Sequence, residues 1–235
     1  HWWEKRDSRG LLLIKSRPAN IDINAPGQTI SLAASLLESA EVLAPSHPEL
    51  AAAMRTRAET YIEGFLAAPH DLERGVYAIE SRRSDNSLVT AMPVWGSVYS
   101  IWPAAYIALL CLCAHRLTAD ERLYAWAESA GRRYATEPLP GDVAVPAMDA
   151  GLALGLLADL YDISRRKEWL ESAMSLAERL SSAYFDDSPL PRGATAIDWY
   201  ESQMGPGFLL HGIARTAMLA AGADACPLYA DYTAR

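Results

Sequence analysis

The segment with the densest chemistry is Arg192–Gly207, which reads Arg-Gly-Ala-Thr-Ala-Ile-Asp-Trp-Tyr-Glu-Ser-Gln-Met-Gly-Pro-Gly. It gathers Arg192, Asp198, Trp199, Tyr200, Glu201 and Gln203 within twelve residues. Trp and Tyr rings offer an apolar face with a polar edge, which suits stacking on a sugar ring. Carboxylates and amides beside them suit its hydroxyls. The plainer reading is a loop that folds its rings inward and caps the next helix with Glu201 or Ser202. Asp149 is a second candidate. At the start of an apolar helical stretch it is either a carboxylate facing a cleft or a first-turn acid held by the helix dipole. That dipole favours the ionised form, so a catalytic Asp149 would serve as base or nucleophile. Glu201 or Asp198, desolvated by the neighbouring rings, would then be the proton donor. Two carboxylates in unlike surroundings are what glycoside hydrolysis requires.

Other residues could extend such a site. Trp95 and Tyr99 are four apart and would share a face if helical, with Trp102 three further on. They form either a stacking wall or part of the core. His211, within the apolar Leu210-His211-Gly212, is either an acid–base group or a satisfied core histidine. Arg192, with Arg82 and Arg83, could clamp a carboxylate, or these could be solvated loop charges. Cys111, Cys113 and His115 are not read as a metal site, because on a helix Cys113 points away from the other two. No metal and no cofactor are expected, since neither a phosphate cradle nor a nucleophile elbow is present.

These residues need a scaffold, and the hydropathy pattern supplies one. Four stretches are apolar nearly all round and rich in Ala, Gly and Leu: Gln28–Leu43, Ser97–His115, Asp149–Tyr161 and Gly207–Ala221. Such helices must be buried on most sides. Each of the first three is followed by an amphipathic stretch: Pro48–Leu66, Asp120–Ala135 and Lys167–Tyr184. The expected buried stripes are Leu50, Met54, Tyr61, Ile62 and Phe65, then Leu123, Trp126, Ala127, Ala130 and Tyr134, then Trp169, Leu170, Ala173, Met174, Ala177, Leu180 and Tyr184. Links within a pair are short: Ala44–His47, Leu117–Ala119 and Asp162–Arg166. Links between pairs are long: Ala67–Trp95, Thr136–Met148 and Phe185–Met204. In an alternating hairpin array the long links share one rim, and long loops commonly carry function.

The expected fold is therefore all-α, with an irregular segment over 1–26 in which Leu11–Ile14 could form a strand, and one helical-hairpin domain over 27–235. This alternation, over Gln28–Ala221, resembles the six-hairpin α/α-toroid superfamily of glycosidases, polysaccharide lyases and sugar epimerases. The phrases that carry the resemblance open the apolar helices: Gly27-Gln28, Trp95-Gly96-Ser97-Val98-Tyr99, Met148-Asp149-Ala150-Gly151 and Gln203-Met204-Gly205-Pro206-Gly207. It implies an oligosaccharide or polysaccharide ligand held in a cleft among those phrases. The first expectation is glycoside hydrolysis. A lyase acting on uronic acid residues, with Arg192, Tyr200 and His211 as its groups, comes next. A non-catalytic helical scaffold or sugar-binding module is the third. Four inner and three outer helices fall short of six pairs, so the barrel is partial, or is completed by a second copy or by further chain.

Composition narrows the partners. The 235 residues carry a formal net charge of −8, which disfavours nucleic acid and anionic membranes. The uncharged run Val98–Cys113 is shorter than the roughly 20 residues a membrane helix needs. Three cysteines are too few for a disulfide framework. Starting at His1, the chain reads as a trimmed one, so a cytoplasmic, periplasmic or secreted setting all remain open.

Overall fold

Each apolar stretch begins where proline or a tight link leaves the backbone ready for a helix. A computed structural model describes residues 22–97, 102–185 and 188–223. Within them lie seven α-helices and a small antiparallel sheet of three strands. The chain is thus mostly helical rather than all-α. Pro26 opens α1 (Pro26–Leu43) and Pro48 opens α2 (Pro48–Leu66), each where its missing N–H costs nothing. α3 (Ala104–Thr118), α4 (Glu121–Thr136), α5 (Ala147–Ser164), α6 (Lys167–Tyr184) and α7 (Pro206–Ala220) follow. No helix among the described residues is long and apolar enough to cross a membrane. The described residues divide into two compact units, and α3 and α4 each contribute to both.

The first unit holds residues up to Met92 together with Leu110–Trp126. α1 and α2 pack as a hairpin, burying Ile30, Ala33, Leu37 and Ala40 of one and Ala51, Ala58, Ile62 and Phe65 of the other. Leu50, expected inside, is half exposed; Ala51 takes the buried place beside it. The long link after α2 is not structureless. It folds into β2 (Ala78–Arg82) and β3 (Leu88–Ala91), and β1 (Ile23–Asn24) pairs with β2 through Ile23–Arg82 and Asn24–Ser81. The turn is closed by Asn86 at φ 59°, while the Asp85 carboxylate accepts from Ser87 N at 2.9 Å. Trp126 packs on Tyr77, Phe65 and His70 at ring-centre distances of 4.7, 5.5 and 5.5 Å. His70 accepts from Ala78 N through Nδ1 (3.0 Å) and donates from Nε2 to Phe65 O (3.0 Å). Both ring nitrogens face protein, so burial pulls the His70 pKa down to about 4.

The second unit holds Pro93–Leu109 and the residues from Ala127 onward. Its centre is α5, buried from Asp149 to Leu160 without interruption. α7 crosses it at Gly151, where a Cβ would stand 2.1 Å from the Phe208 carbonyl carbon. α6 turns Trp169, Ala173, Leu176, Leu180 and Tyr184 inward, with Leu176 taking the place expected for the exposed Met174. The stripe expected for α4 is fully buried from Leu123 to Tyr134. Asp159 of α5 and Arg215 of α7 form an ion pair with 2% of either side chain exposed. The helix expected from Ser97 starts only at Ala104, after Pro103. Proline disfavours helical backbone in the residue before it and supplies no N–H, so the helix begins beyond it.

Candidate functional site

In the second unit, the residues that precede α3, α5 and α7 come together. Two tyrosines at matching places set them. Tyr134, near the end of α4, donates its hydroxyl to Val94 O (2.6 Å) and accepts from Ala105 N (3.0 Å). Tyr184, the last residue of α6, donates to Val145 O (2.7 Å). α4 and α6 thus each carry, near the C-terminal end, a hydroxyl that holds the approach to the helix before it. Burial, with the Asp149 charge adding, pushes the Tyr184 pKa well above its ordinary value, so the phenol stays a donor.

The approaches also bind one another. Gly96 sits at φ +78°, and a Cβ on it would stand 2.3 Å from Val143 Cγ1, so only glycine fits between the two. Val145 N donates to the Thr195 hydroxyl (3.0 Å), Thr195 N to Val145 O (3.1 Å) and Ala147 N to Gly193 O (2.8 Å). These bonds join the link before α5 to the link before α7. The rest of the first long link, up to Met92, belongs to the other unit.

Asp149 lies beneath this junction with 0% exposure. Its two oxygens accept from Ser97 N (2.7 Å) and from the Ser97 hydroxyl. The carboxylate therefore ties the start of α5 to the segment before α3. The expectation that the helix N-terminus would favour its ionised form is not met. Burial dominates and raises the pKa, and the Ser97 bonds only partly oppose it. Ser97 was not singled out from the sequence; nothing local marks a serine 52 residues away as the partner of Asp149.

The loop before α7 is the open part. Trp199 is 63% exposed and Tyr200 46%. The backbone beneath them is fixed: Gly193 N donates to Trp199 O (2.9 Å) and Ile197 N to Ala194 O (3.1 Å). Glu201 accepts from Gln203 N (3.0 Å), capping the 3-10 turn Ser202–Met204. Glu201 was expected to cap the next helix; it caps this short turn instead, and α7 begins after its N-cap Gly205 with no side-chain cap. Gln203 is exposed. Arg192 Nη1 lies 3.2 Å from Asp198 Oδ1, with Asp198 85% exposed.

The remaining candidates have other surroundings. Trp95 is buried, its ring edge-on to Tyr134 at 4.8 Å. It precedes α3 rather than lying on a helix, so the shared helical face proposed for Trp95 and Tyr99 does not hold at Trp95. Tyr99 lies outside the described residues. Trp102 stacks edge-on against Tyr106 at 4.4 Å. His211 is half-buried on α7, and burial, with the Arg215 charge, lowers its pKa. Arg82 and Arg83 belong to the first unit, as does His115, whose Nδ1 lies 3.1 Å from Asp120 O.

What this arrangement can do is present two exposed aromatic side chains, consecutive in sequence and followed by exposed Ser202 and Gln203, on a hydrogen-bonded loop. Comparison with known proteins finds no family model that matches this sequence and no curated protein that matches it.

Proposed function

We propose that this chain is a carbohydrate-binding protein of the helical-hairpin, α/α-toroid kind, with its glycan surface on the loop Asp198–Gln203. The observation that carries this is the exposure of Trp199 and Tyr200 side by side on a backbone-pinned loop. Two large exposed rings on a hydrogen-bonded loop offer a contact surface of the kind that stacks on a sugar ring. A pre-formed loop also loses little conformational freedom on binding. The alternation of apolar inner helices with amphipathic outer ones supports the toroid reading, in which such loops line a cleft.

Binding without turnover is better supported than paired-carboxylate hydrolysis. Asp149 has no exposed surface and both its oxygens are taken by Ser97, while Glu201 caps its own turn. A lyase would need Arg192 for the substrate carboxylate, and Arg192 is paired with Asp198.

The test is titration calorimetry against neutral oligosaccharides for the wild type and for Trp199→Ala with Tyr200→Ala, with reducing ends and ultraviolet absorbance followed over hours. The expected result is binding that falls at least ten-fold in the double variant, as loss of two stacked rings implies, with no new reducing ends. Binding unaffected by the variant would refute the site. Steady release of reducing ends abolished by Asp149→Asn would replace binding with hydrolysis, and an ultraviolet-absorbing product would replace it with elimination.

A further inference from the structure

The first unit holds two buried polar side chains that the glycan reading does not use. Asn24 of β1 and Ser81 of β2 are direct cross-strand partners. Both have 0% exposure. Partners of this kind leave the sheet on one face, with Cβ atoms roughly 4.5–5.5 Å apart. Yet Asn24 Oδ1, Asn24 Nδ2 and Ser81 Oγ meet no hydrogen-bond partner among the described residues. Polar atoms shut away from bulk solvent are seldom left so, because each loses its hydration and gains no bond.

We propose that Asn24 and Ser81 form an internal water site, holding at least one water molecule that joins β1 to β2. Two side chains that face each other without bonding are bridged by a water making a bond of about 2.8 Å to each. The amide offers both donor and acceptor and the hydroxyl offers either, so the pair suits water, which does the same. A neutral ligand suits it better than an ion, since neither side chain is charged. The nearby Asp22 carboxylate is held by Ser84 instead, through its N (2.9 Å) and its hydroxyl (2.7 Å). The place matters to the fold. β1 is only two residues long, so its ladder bonds are few and a bridging water adds a tie. Asn24 directly precedes Ala25, the N-cap of α1, and α1 packs against β2. The water thus helps to fix the entry of the first helix on the sheet.

Magnetic relaxation dispersion of water counts the molecules held for longer than the protein takes to tumble. It is applied to the intact chain and to Asn24→Leu with Ser81→Ala, which removes all three polar atoms together. Replacing both members of a buried polar contact by apolar groups of similar shape is nearly neutral for stability, so this variant is expected to fold. It is expected to hold at least one long-lived water fewer than the wild type. An equal count overturns the proposal. A high-resolution crystal structure of the wild type tests the site without any substitution. The expected result is a water within about 3.2 Å of Ser81 Oγ and of an Asn24 amide atom. An ion in that place, or a direct Asn24–Ser81 hydrogen bond with no water, overturns the proposal.

Discussion

Replacing Ser97 by alanine removes the one hydroxyl donor to a carboxylate that water does not reach. The backbone N–H remains, so the change isolates the hydroxyl. A hydrogen bond to an ionised acceptor contributes about 1.5–3 kcal/mol, and one to a neutral acceptor about 0.5–1.5 kcal/mol. The penalty therefore depends on the protonation of Asp149. Its folded-state pKa lies above the ordinary value of 3.8, chiefly through burial. A carboxyl raised in this way contributes stability that is complete below the unfolded pKa and is lost as pH rises through the folded one. The Ser97 hydroxyl favours the ionised form, so removing it raises the folded pKa further and extends the loss to higher pH. The deficit of Ser97→Ala relative to the wild type should grow from about 1 kcal/mol at pH 3.5 to about 2 kcal/mol at pH 7. Urea unfolding followed by tryptophan fluorescence at several pH values measures it, and titrations common to both proteins cancel in the difference. A deficit below about 0.5 kcal/mol throughout, or one that narrows as pH rises, would show that Ser97 and Asp149 are not coupled as described.

Three further outcomes follow from the same kind of reasoning. The folded His70 takes a proton only near pH 4, whereas an unfolded histidine takes one near 6.5. Stability should therefore be lost as pH falls from 6.5 toward 4, by about 2 kcal/mol at pH 5, and His70→Gln should flatten that slope in acid unfolding curves; an unchanged slope would clear His70 of the effect. Arg215→Met strands the Asp159 carboxylate in the α5–α7 interface and should cost about 3–5 kcal/mol, most of it recovered when Asp159→Leu is added; thermal melts of the two variants decide, and a single variant as stable as the double would contradict it. Gly96→Ala must place a methyl against Val143 at an unfavourable φ and should cost about 2–4 kcal/mol in urea unfolding, whereas an effect under 1 kcal/mol would mean the two approaches are not in contact.

Local signals carried much of this molecule and tertiary ones carried the rest. The bounds of α2 and α6 and the inward stripe of α4 were legible because proline at N1, short links and 3.6-residue periodicity are written in neighbouring residues. The β2–β3 hairpin is hidden by the length of its link, which reads as loop, although Ser84-Asp85-Asn86-Ser87 between two β-prone runs marks a turn. The start of α3 was missed because the apolar run continues across Pro103, and the hydropathy outweighed the backbone rule. At the site, the openness of Trp199 and Tyr200 and a capping role for Glu201 were among the alternatives the loop offered. So was the burial of Trp95, which the sequence offers as part of the core; the burial of Asp149 was not, since it depends on Ser97, 52 residues away. Helix-terminus reasoning about Asp149 used only its own helix and so gave the wrong direction for its pKa.

The central claim is that glycan lies on the rings of Trp199 and Tyr200. Hydroxyl-radical footprinting with mass spectrometry, with and without a saturating neutral oligosaccharide, reads it residue by residue. Trp199 and Tyr200 should be strongly protected, with the exposed Met174 of α6 unchanged. Protein that binds the oligosaccharide while leaving both rings as reactive as before would contradict it.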